Sequence, residues 1–190
     1  GDFSLETRLL LAGKVFALTA RYDGIIATEF ERLTCRADDI ELGRSIVQGK
    51  SWLPTRLHPA LKMHRGLRYG ENPHQKAALY IPAGQPATGL AGARQLQGKE
   101  LSYNNLVDLD AAWKLAQEFS RPATAIIKHN NPCGTAVSKN GLLAAYKLAY
   151  ECDKTSAFGG IVGVNRTVTK ELAEELGKIF LEAVIAPGFD

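Results

Sequence analysis

The chain is organised around the stretch Ile126-Ile127-Lys128-His129-Asn130-Asn131-Pro132-Cys133-Gly134, which joins an apolar run directly to a cluster of reactive polar side chains. Residues 123–127 are small or β-branched and end at a turn signal. This pattern is typical of a central strand that is covered on both faces. It places Lys128 and His129 at the carboxyl end of that strand, the edge where open α/β sheets bind their ligands.

A lysine beside a histidine at this edge has two readings. The functional reading is chemistry on an anionic or carbonyl-bearing substrate, because a cation and a titratable imidazole lie side by side. The structural reading is a histidine that only makes hydrogen bonds within the fold, because titratable groups also occur in structural networks. The dipeptide alone leaves both readings open.

The composition fits an ordinary globular protein. The chain has 190 residues, of which 45% are hydrophobic and 23% charged, and this length can bury a sizeable core. The net charge of +3 is spread without a basic tract, so nucleic acid is not expected as a partner. No apolar run approaches the ~20 residues that span a bilayer, and the first residues lack the charged-then-apolar order of a signal peptide. We therefore expect a cytoplasmic protein that does not use a membrane.

The cysteines argue against a metal site. Cys35, Cys133 and Cys152 are far apart and form no CxxC pair, so neither a disulfide framework nor a zinc site is indicated. Pro132-Cys133 matches part of the zinc deaminase signature, but the second cysteine two residues later is missing. The sequence therefore predicts no bound metal.

Helical and strand patterns alternate along the chain. The expected elements are a helix over 4–30 capped by Ser4, a linker with a possible short helix over 33–67, a strand over 77–81, helices over 106–116 and 141–151, a strand over 161–164 and a helix over 169–183. This order predicts an α/β fold with a mostly parallel sheet.

Three further motifs carry polar groups. In Arg68-Tyr69-Gly70-Glu71-Asn72-Pro73-His74-Gln75, the arginine either clamps a phosphate or carboxylate beside the flat Tyr69 ring, or caps carbonyl groups in a tight turn. In Leu101-Ser102-Tyr103-Asn104-Asn105, at least one asparagine is expected to cap the next helix, and the other can face a ligand. Ser156-Ala157-Phe158-Gly159-Gly160 lacks the P-loop spacing, so its glycines serve either close packing or the approach of a ligand.

These motifs, in this order and with Ile185-Ala186-Pro187-Gly188, resemble the family of bifunctional purine biosynthesis proteins that carry aminoimidazole carboxamide ribotide (AICAR) transformylase and IMP cyclohydrolase. The resemblance implies a cytidine-deaminase-like, three-layer α/β/α fold. It implies that residues 1–33 are a helical connector from a cyclohydrolase domain, residues 34–67 a linker, and residues 68–190 the first transformylase subdomain. It also implies that this chain holds half of a pocket and is inactive alone.

The same resemblance assigns an activity and site residues. The family transfers a formyl group from 10-formyltetrahydrofolate to the 5-amino group of AICAR, and it works as a homodimer. By resemblance His129 handles the proton and Lys128 stabilises the developing negative charge. The AICAR nucleotide is expected to contact the remaining matched positions, which are Arg68, Tyr69, Asn105, Phe158, Gly159 and, less securely matched, Glu182.

A different class of function competes with this one. A non-catalytic module of the same deaminase-like fold would bind a phosphate ligand through Arg68 and perform no chemistry. The pair Lys128-His129 favours the enzyme, because a protein that only binds has no need of an imidazole beside a lysine.

Overall fold

The structure, a computed structural model, describes the backbone of residues 3–41 and 59–190 and the side chains of 3–30 and 59–190. Within these ranges the elements are α1 (Leu5–Glu41), β1 (Leu61–Leu67), β2 (Ala77–Pro82), α2 (Gly89–Gly92), α3 (Tyr103–Gln117), β3 (Ala123–Lys128), β4 (Asn131–Val137), α4 (Leu142–Cys152), α5 (Lys154–Ala157), β5 (Ile161–Val164), α6 (Lys170–Leu176) and β6 (Ala183–Ile185). The α/β class expected from the sequence is confirmed.

The chain divides into two compact units, Gly1–Lys62 with Pro82–Gln85 and Met63–Ile81 with Pro86–Asp190. The first unit contains α1, which begins at Leu5. Ser4 caps it as predicted, because its hydroxyl accepts a hydrogen bond from the Thr7 N–H (3.2 Å). The helix continues well beyond residue 30, to Glu41. No helix in the described parts of the chain is both long and apolar enough to cross a membrane.

The second unit is built on a four-stranded sheet with the order β4-β3-β5-β6. Strand β3 is antiparallel to both β4 and β5, and only β5 and β6 are parallel. The prediction of a mostly parallel sheet is therefore wrong. The cytidine-deaminase-like arrangement of the layers stays a prediction.

The error arose at residues 131–134, because Asn-Pro and Cys-Gly have the composition of a turn. These residues begin β4, and the reversal itself occupies only His129 and Asn130, since Lys128 pairs with Asn131. The register shifts between Ile126, which faces Gly134, and Ile127, which faces Pro132. Cys133 is thus the extra residue of a β-bulge, a feature that bends a strand and re-aims its side chains.

Helices cover both faces of β3, as its continuous apolar run predicts. Ile126 packs on one face with Tyr146 of α4 and Leu172 of α6. Ile127 packs on the opposite face with Leu109 and Ala112 of α3. Neighbouring residues of a strand point to opposite faces, so the two isoleucines build two separate hydrophobic clusters.

Three other predictions need revision. Helix α3 begins at Tyr103, earlier than residue 106, and α6 ends at Leu176, because Gly177 closes it through hydrogen bonds to the carbonyls of Ala173 and Glu175. Residues 61–67 form strand β1, although the sequence reading placed them in a linker. Residues 42–58 of that linker lie outside the described residues, and the domain boundaries stay a prediction.

Asn165 connects the end of β5 to the start of β3. Its side-chain oxygen accepts a hydrogen bond from the Ala123 N–H (2.8 Å), and its Nδ2 donates to the carbonyls of Phe119 (2.7 Å) and Arg121 (2.8 Å). The residue is 5% exposed. A buried amide with all these bonds satisfied fixes the chain at the end of β3 that lies away from Lys128.

Replacing Gly134 by alanine should destabilise the second unit. A Cβ at this position would collide with the carbonyl of Ala149 in α4 and lie 3.1 Å from the Cβ of Cys152. We expect a loss of about 1–3 kcal/mol in the free energy of unfolding measured by urea denaturation, as for other overpacked sites. Gly66→Ala in β1 is the control, because nothing lies within 4 Å of its added Cβ. Equal stability of the two variants would contradict the close approach of α4.

Candidate active site

The edge of the sheet at the end of β3 gathers most of the predicted functional residues. Strands β4 and β5 start at this edge because they run antiparallel to β3, and β6 starts there because it is parallel to β5. Lys128 is half-buried and His129 is exposed. His129 and Asn130 both have left-handed backbone angles, with φ of 53° and 60°. The chain thus turns at His129 itself.

A pocket of about 400 Å³ opens beside this turn. Lys128 and His129 both contribute to its wall. The other residues of the wall are Asn131, Pro132, Cys133, Asp153 and Ser156. The pocket therefore combines an ammonium, an imidazole, a carboxylate and a thiol.

The charges in this pocket affect one another. Burial raises the pKa of the Cys133 thiol, the Asp153 carboxylate raises it further, and the Lys128 ammonium lowers it. Hydrogen bonds from Ser156 lower the pKa of the Asp153 carboxyl group, and the Lys128 ammonium contributes in the same direction. At neutral pH the pocket therefore holds a neutral thiol and an ionised Asp153.

Phe158, Gly159 and Glu182 lie at the same edge. The Lys128 Nζ donates a hydrogen bond to the Phe158 carbonyl (2.9 Å). Gly159, with φ of 72°, donates its N–H to the Phe180 carbonyl (2.8 Å), and the Glu182 N–H donates to the Gly160 carbonyl (3.0 Å). An ammonium has three donors, so the bond to Phe158 leaves two for a ligand.

Arg68 and Tyr69 belong to a closed loop over residues 68–75. The Arg68 guanidinium lies 4.8 Å from the centre of the Tyr69 ring and donates to its hydroxyl (3.1 Å). The loop docks on the start of α3, because the Tyr103 N–H donates to the Tyr69 carbonyl (3.0 Å) and Asn104 Nδ2 donates to the Glu71 carbonyl (3.0 Å). Arg68 remains exposed and can meet an anion.

Both asparagines at the start of α3 have structural partners. Ser102 is the N-cap, and its hydroxyl accepts a hydrogen bond from the Asn105 N–H (3.2 Å). The Asn105 side-chain oxygen accepts bonds from the N–H (3.0 Å) and the hydroxyl (2.9 Å) of Ser102, which completes a capping box. The role of Asn105 towards a ligand stays a prediction. The described wall of the 400 Å³ pocket does not include Arg68, Tyr69 or Glu182, so their place in a shared site also stays a prediction.

A larger cavity of about 720 Å³ lies along β6. Its wall is mostly apolar, with Leu90, Leu101, Phe180 and Val184 among its residues, and it includes Glu182. The smaller pocket is the candidate active site, because it holds groups able to transfer protons. In the described ranges no cluster of three His, Cys, Asp or Glu side chains could hold a metal ion.

The sequence was compared with protein-family profiles and with known proteins. The sequence profile of the AICARFT/IMPCHase bienzyme family matches residues 1–190. The chain belongs to this family. It is 50% identical over 192 residues to the bifunctional purine biosynthesis protein PurH of Rippkaea orientalis (strain PCC 8801 / RF-1). That match covers the whole chain and 34% of the relative, so the chain spans about a third of the relative's length.

Two residues near the pocket, Asp108 and Asp153, were not among the functional residues predicted from the sequence. The Asp108 carboxylate accepts hydrogen bonds from the N–H groups of His129 (3.2 Å) and Asn130 (2.7 Å). Asp153 caps α5 by accepting from the Ser156 N–H (2.9 Å). The spacing Asp-x-x-Ser before a short helix was a usable signal for Asp153. Asp108 gave no such signal, because its partners lie 21 and 22 positions away.

Variants of Asn105 test the capping box. Asn105→Ala removes the acceptor for both Ser102 donors and should lower the free energy of unfolding by about 1 kcal/mol. Asn105→Asp keeps an acceptor oxygen at the helix start and should remain close to wild type. Gln117→Ala, an exposed position at the other end of α3, is the control. If Asn105→Ala were as stable as Gln117→Ala in urea denaturation, the capping role would be disproved.

Proposed function

We propose that the protein transfers a formyl group from 10-formyltetrahydrofolate to the 5-amino group of AICAR, as part of an enzyme that also has IMP cyclohydrolase activity. The observation that carries this proposal is the shared pocket of Lys128 and His129. Membership of the AICARFT/IMPCHase bienzyme family supports it. The cosubstrate is a folate, the partners are AICAR and a second subunit of a homodimer, and the location is cytoplasmic. We propose no role for a metal, a nucleic acid or a membrane.

The reaction joins the AICAR amine nitrogen to the formyl carbon and breaks the bond from that carbon to the folate nitrogen. The amine must lose a proton as it attacks, and the folate nitrogen must gain one as it leaves. His129, exposed at the turn, is the group in the pocket suited to accept the first proton and return it in the second step. No atom is left over, because tetrahydrofolate and formyl-AICAR are the only products.

Lys128 supplies the positive charge in this proposal. The formyl oxygen becomes negative when the amine attacks, and a fixed cation stabilises that charge more in the transition state than in the ground state. The hydrogen bond from Nζ to the Phe158 carbonyl fixes the ammonium on the pocket wall. The charge is therefore in place before the substrate binds.

Arg68 is proposed to bind the phosphate of AICAR. Its guanidinium is exposed and stacked on Tyr69, which restricts the rotation of the side chain. A guanidinium in a fixed orientation offers two parallel donors to a phosphate, so less entropy is lost on binding.

Replacing His129 by alanine tests the proton-handling role. In the complete gene product, His129→Ala should lower kcat for formyl transfer by ~10²-fold or more with little change in AICAR affinity. Lys128→Ala should impair both parameters, because the charge contacts the bound substrate and stabilises the transition state still more strongly. His64→Ala and Lys139→Ala are matched controls, since both side chains are exposed and belong to other parts of the chain. A rise in KM alone for His129→Ala would make His129 a binding residue.

Arg68→Ala tests the phosphate contact. We expect AICAR binding to weaken roughly tenfold to a hundredfold, the scale of hydrogen bonds to a charged group. The affinity for the dephosphorylated nucleoside, measured by calorimetry, should stay the same, because the lost contact is with the phosphate. Arg121→Ala at the opposite end of β3 is the control. An equal loss of affinity for the nucleotide and the nucleoside would rule out phosphate recognition by Arg68.

A further inference from the structure

The turn at the pocket has an unusual backbone for its sequence. A two-residue hairpin connection with positive φ at both residues is normally built from Asn-Gly, Asp-Gly or Gly-Gly. Here the two residues are His129 and Asn130, with φ of 53° and 60°. Asparagine and histidine both enter the left-handed region more often than most other residues that are not glycine, but each does so at a cost in free energy. The turn therefore requires contacts that offset this cost.

Asp108 of α3 meets this requirement. One carboxylate oxygen accepts a hydrogen bond from the His129 N–H (3.2 Å), and the other accepts from the Asn130 N–H (2.7 Å). The two donors belong to the two left-handed residues, so both bonds depend on that backbone geometry. A carboxylate is suited to this task because both of its oxygens accept, whereas an amide offers one acceptor and a hydroxyl group only one oxygen.

The other side of His129 is also held. The His129 carbonyl accepts a hydrogen bond from Asn131 Nδ2 (2.8 Å), so both peptide groups of this residue are fixed. Lys128, the preceding residue, is held through the Phe158 carbonyl. Lys128 and His129 are therefore held by different contacts, and of the two only His129 is bonded to Asp108.

We propose that Asp108 is a positioning residue for His129. On an extended strand, consecutive side chains point to opposite faces, so Lys128 and His129 could not both reach one pocket. The left-handed conformation at His129 removes this alternation, and the carboxylate of Asp108 stabilises that conformation. The expected effect on catalysis rests on the proposed function. The effect of Asp108 on the backbone of the turn is independent of that function.

Asp110 is a second carboxylate on α3, and its ion-pair partner lies within the same helix. It pairs with Lys114 (2.7 Å) one turn further along α3, where the ion pair is largely exposed. An exposed pair of this type contributes about 0–1 kcal/mol to stability. Asp110→Ala is therefore a matched control for Asp108→Ala, with the same substitution in the same helix and loss of a similar charge.

The first test is kinetic and uses the complete gene product. Asp108→Ala should lower kcat for formyl transfer by about 10-fold to 100-fold, the range expected when a catalytic group is misplaced by about 1 Å, with less than about a threefold change in KM for AICAR. Asp108→Asn should show a smaller loss, because it keeps one acceptor. This second variant also serves if Asp108→Ala does not fold. Asp110→Ala should match wild type, and equal kcat values for the Asp110 and Asp108 variants would overturn the proposal.

A rescue experiment separates positioning from other roles. Asn130→Gly introduces a residue that adopts positive φ freely, so it favours the left-handed turn without the help of Asp108. In the Asp108→Ala background it should raise kcat by several-fold, while in the wild-type background it should have little effect. A carboxylate that acts directly on the substrate could not be replaced in this way. Absence of rescue would therefore overturn the positioning role.

Crystal structures of the wild-type gene product and its Asp108→Ala variant provide a readout that does not depend on activity. We expect φ at residues 129 and 130 to change, or the turn to become disordered, in Asp108→Ala alone. An unchanged turn would refute the inference even if the enzyme is active. If the wild-type gene product transfers no formyl group while the turn changes as expected, the proposed function fails and the structural role of Asp108 stands.

Discussion

The hydrogen bonds from the N–H groups of His129 and Asn130 to the Asp108 carboxylate are the interaction on which the sheet and the pocket both depend. They stabilise a reversal in only two residues, neither of which is glycine. Because the reversal is so short, β4 must return antiparallel to β3. Helix α4 then carries the chain back across the sheet, so β5 starts at the edge where β3 ends. The directions of the later strands follow from this one turn.

The sequence predicted the parts of the fold that depend on local patterns. The buried strand β3 followed from small and β-branched residues, and α4 from its apolar spacing. The direction of the strands could not be predicted, because Asn-Pro-Cys-Gly has the composition of a turn and His-Asn lacks the glycine that marks a tight hairpin. Lys128 and His129 were placed together by adjacency. The contact of Asp108 with the turn could not be predicted, because a side chain bonded to the backbone of a distant segment leaves no periodic signal in the sequence.

The antiparallel arrangement changes how the site is built. In a parallel sheet the ligand edge consists of strand ends, whereas here it combines the end of β3 with the starts of β4, β5 and β6. Two backbone N–H groups at this edge, those of Gly159 and Glu182, already donate to the carbonyls of Phe180 and Gly160. Under the proposed function, recognition of an anion therefore relies on side chains such as Lys128 and Arg68.

The amide of Asn165, which bonds to the backbone around the start of β3, has a consequence for the opposite end of that strand. A strand fixed at one end only can slide along its neighbour by a residue, which would exchange the faces of Ile126 and Ile127. With Asn165 at the start of β3 and Asp108 at its end, the strand has a fixed length between two fixed points. The number of residues between these points therefore sets the position of Lys128. Inserting or deleting one residue between 123 and 128 would displace Lys128 by about 3.3 Å along the strand.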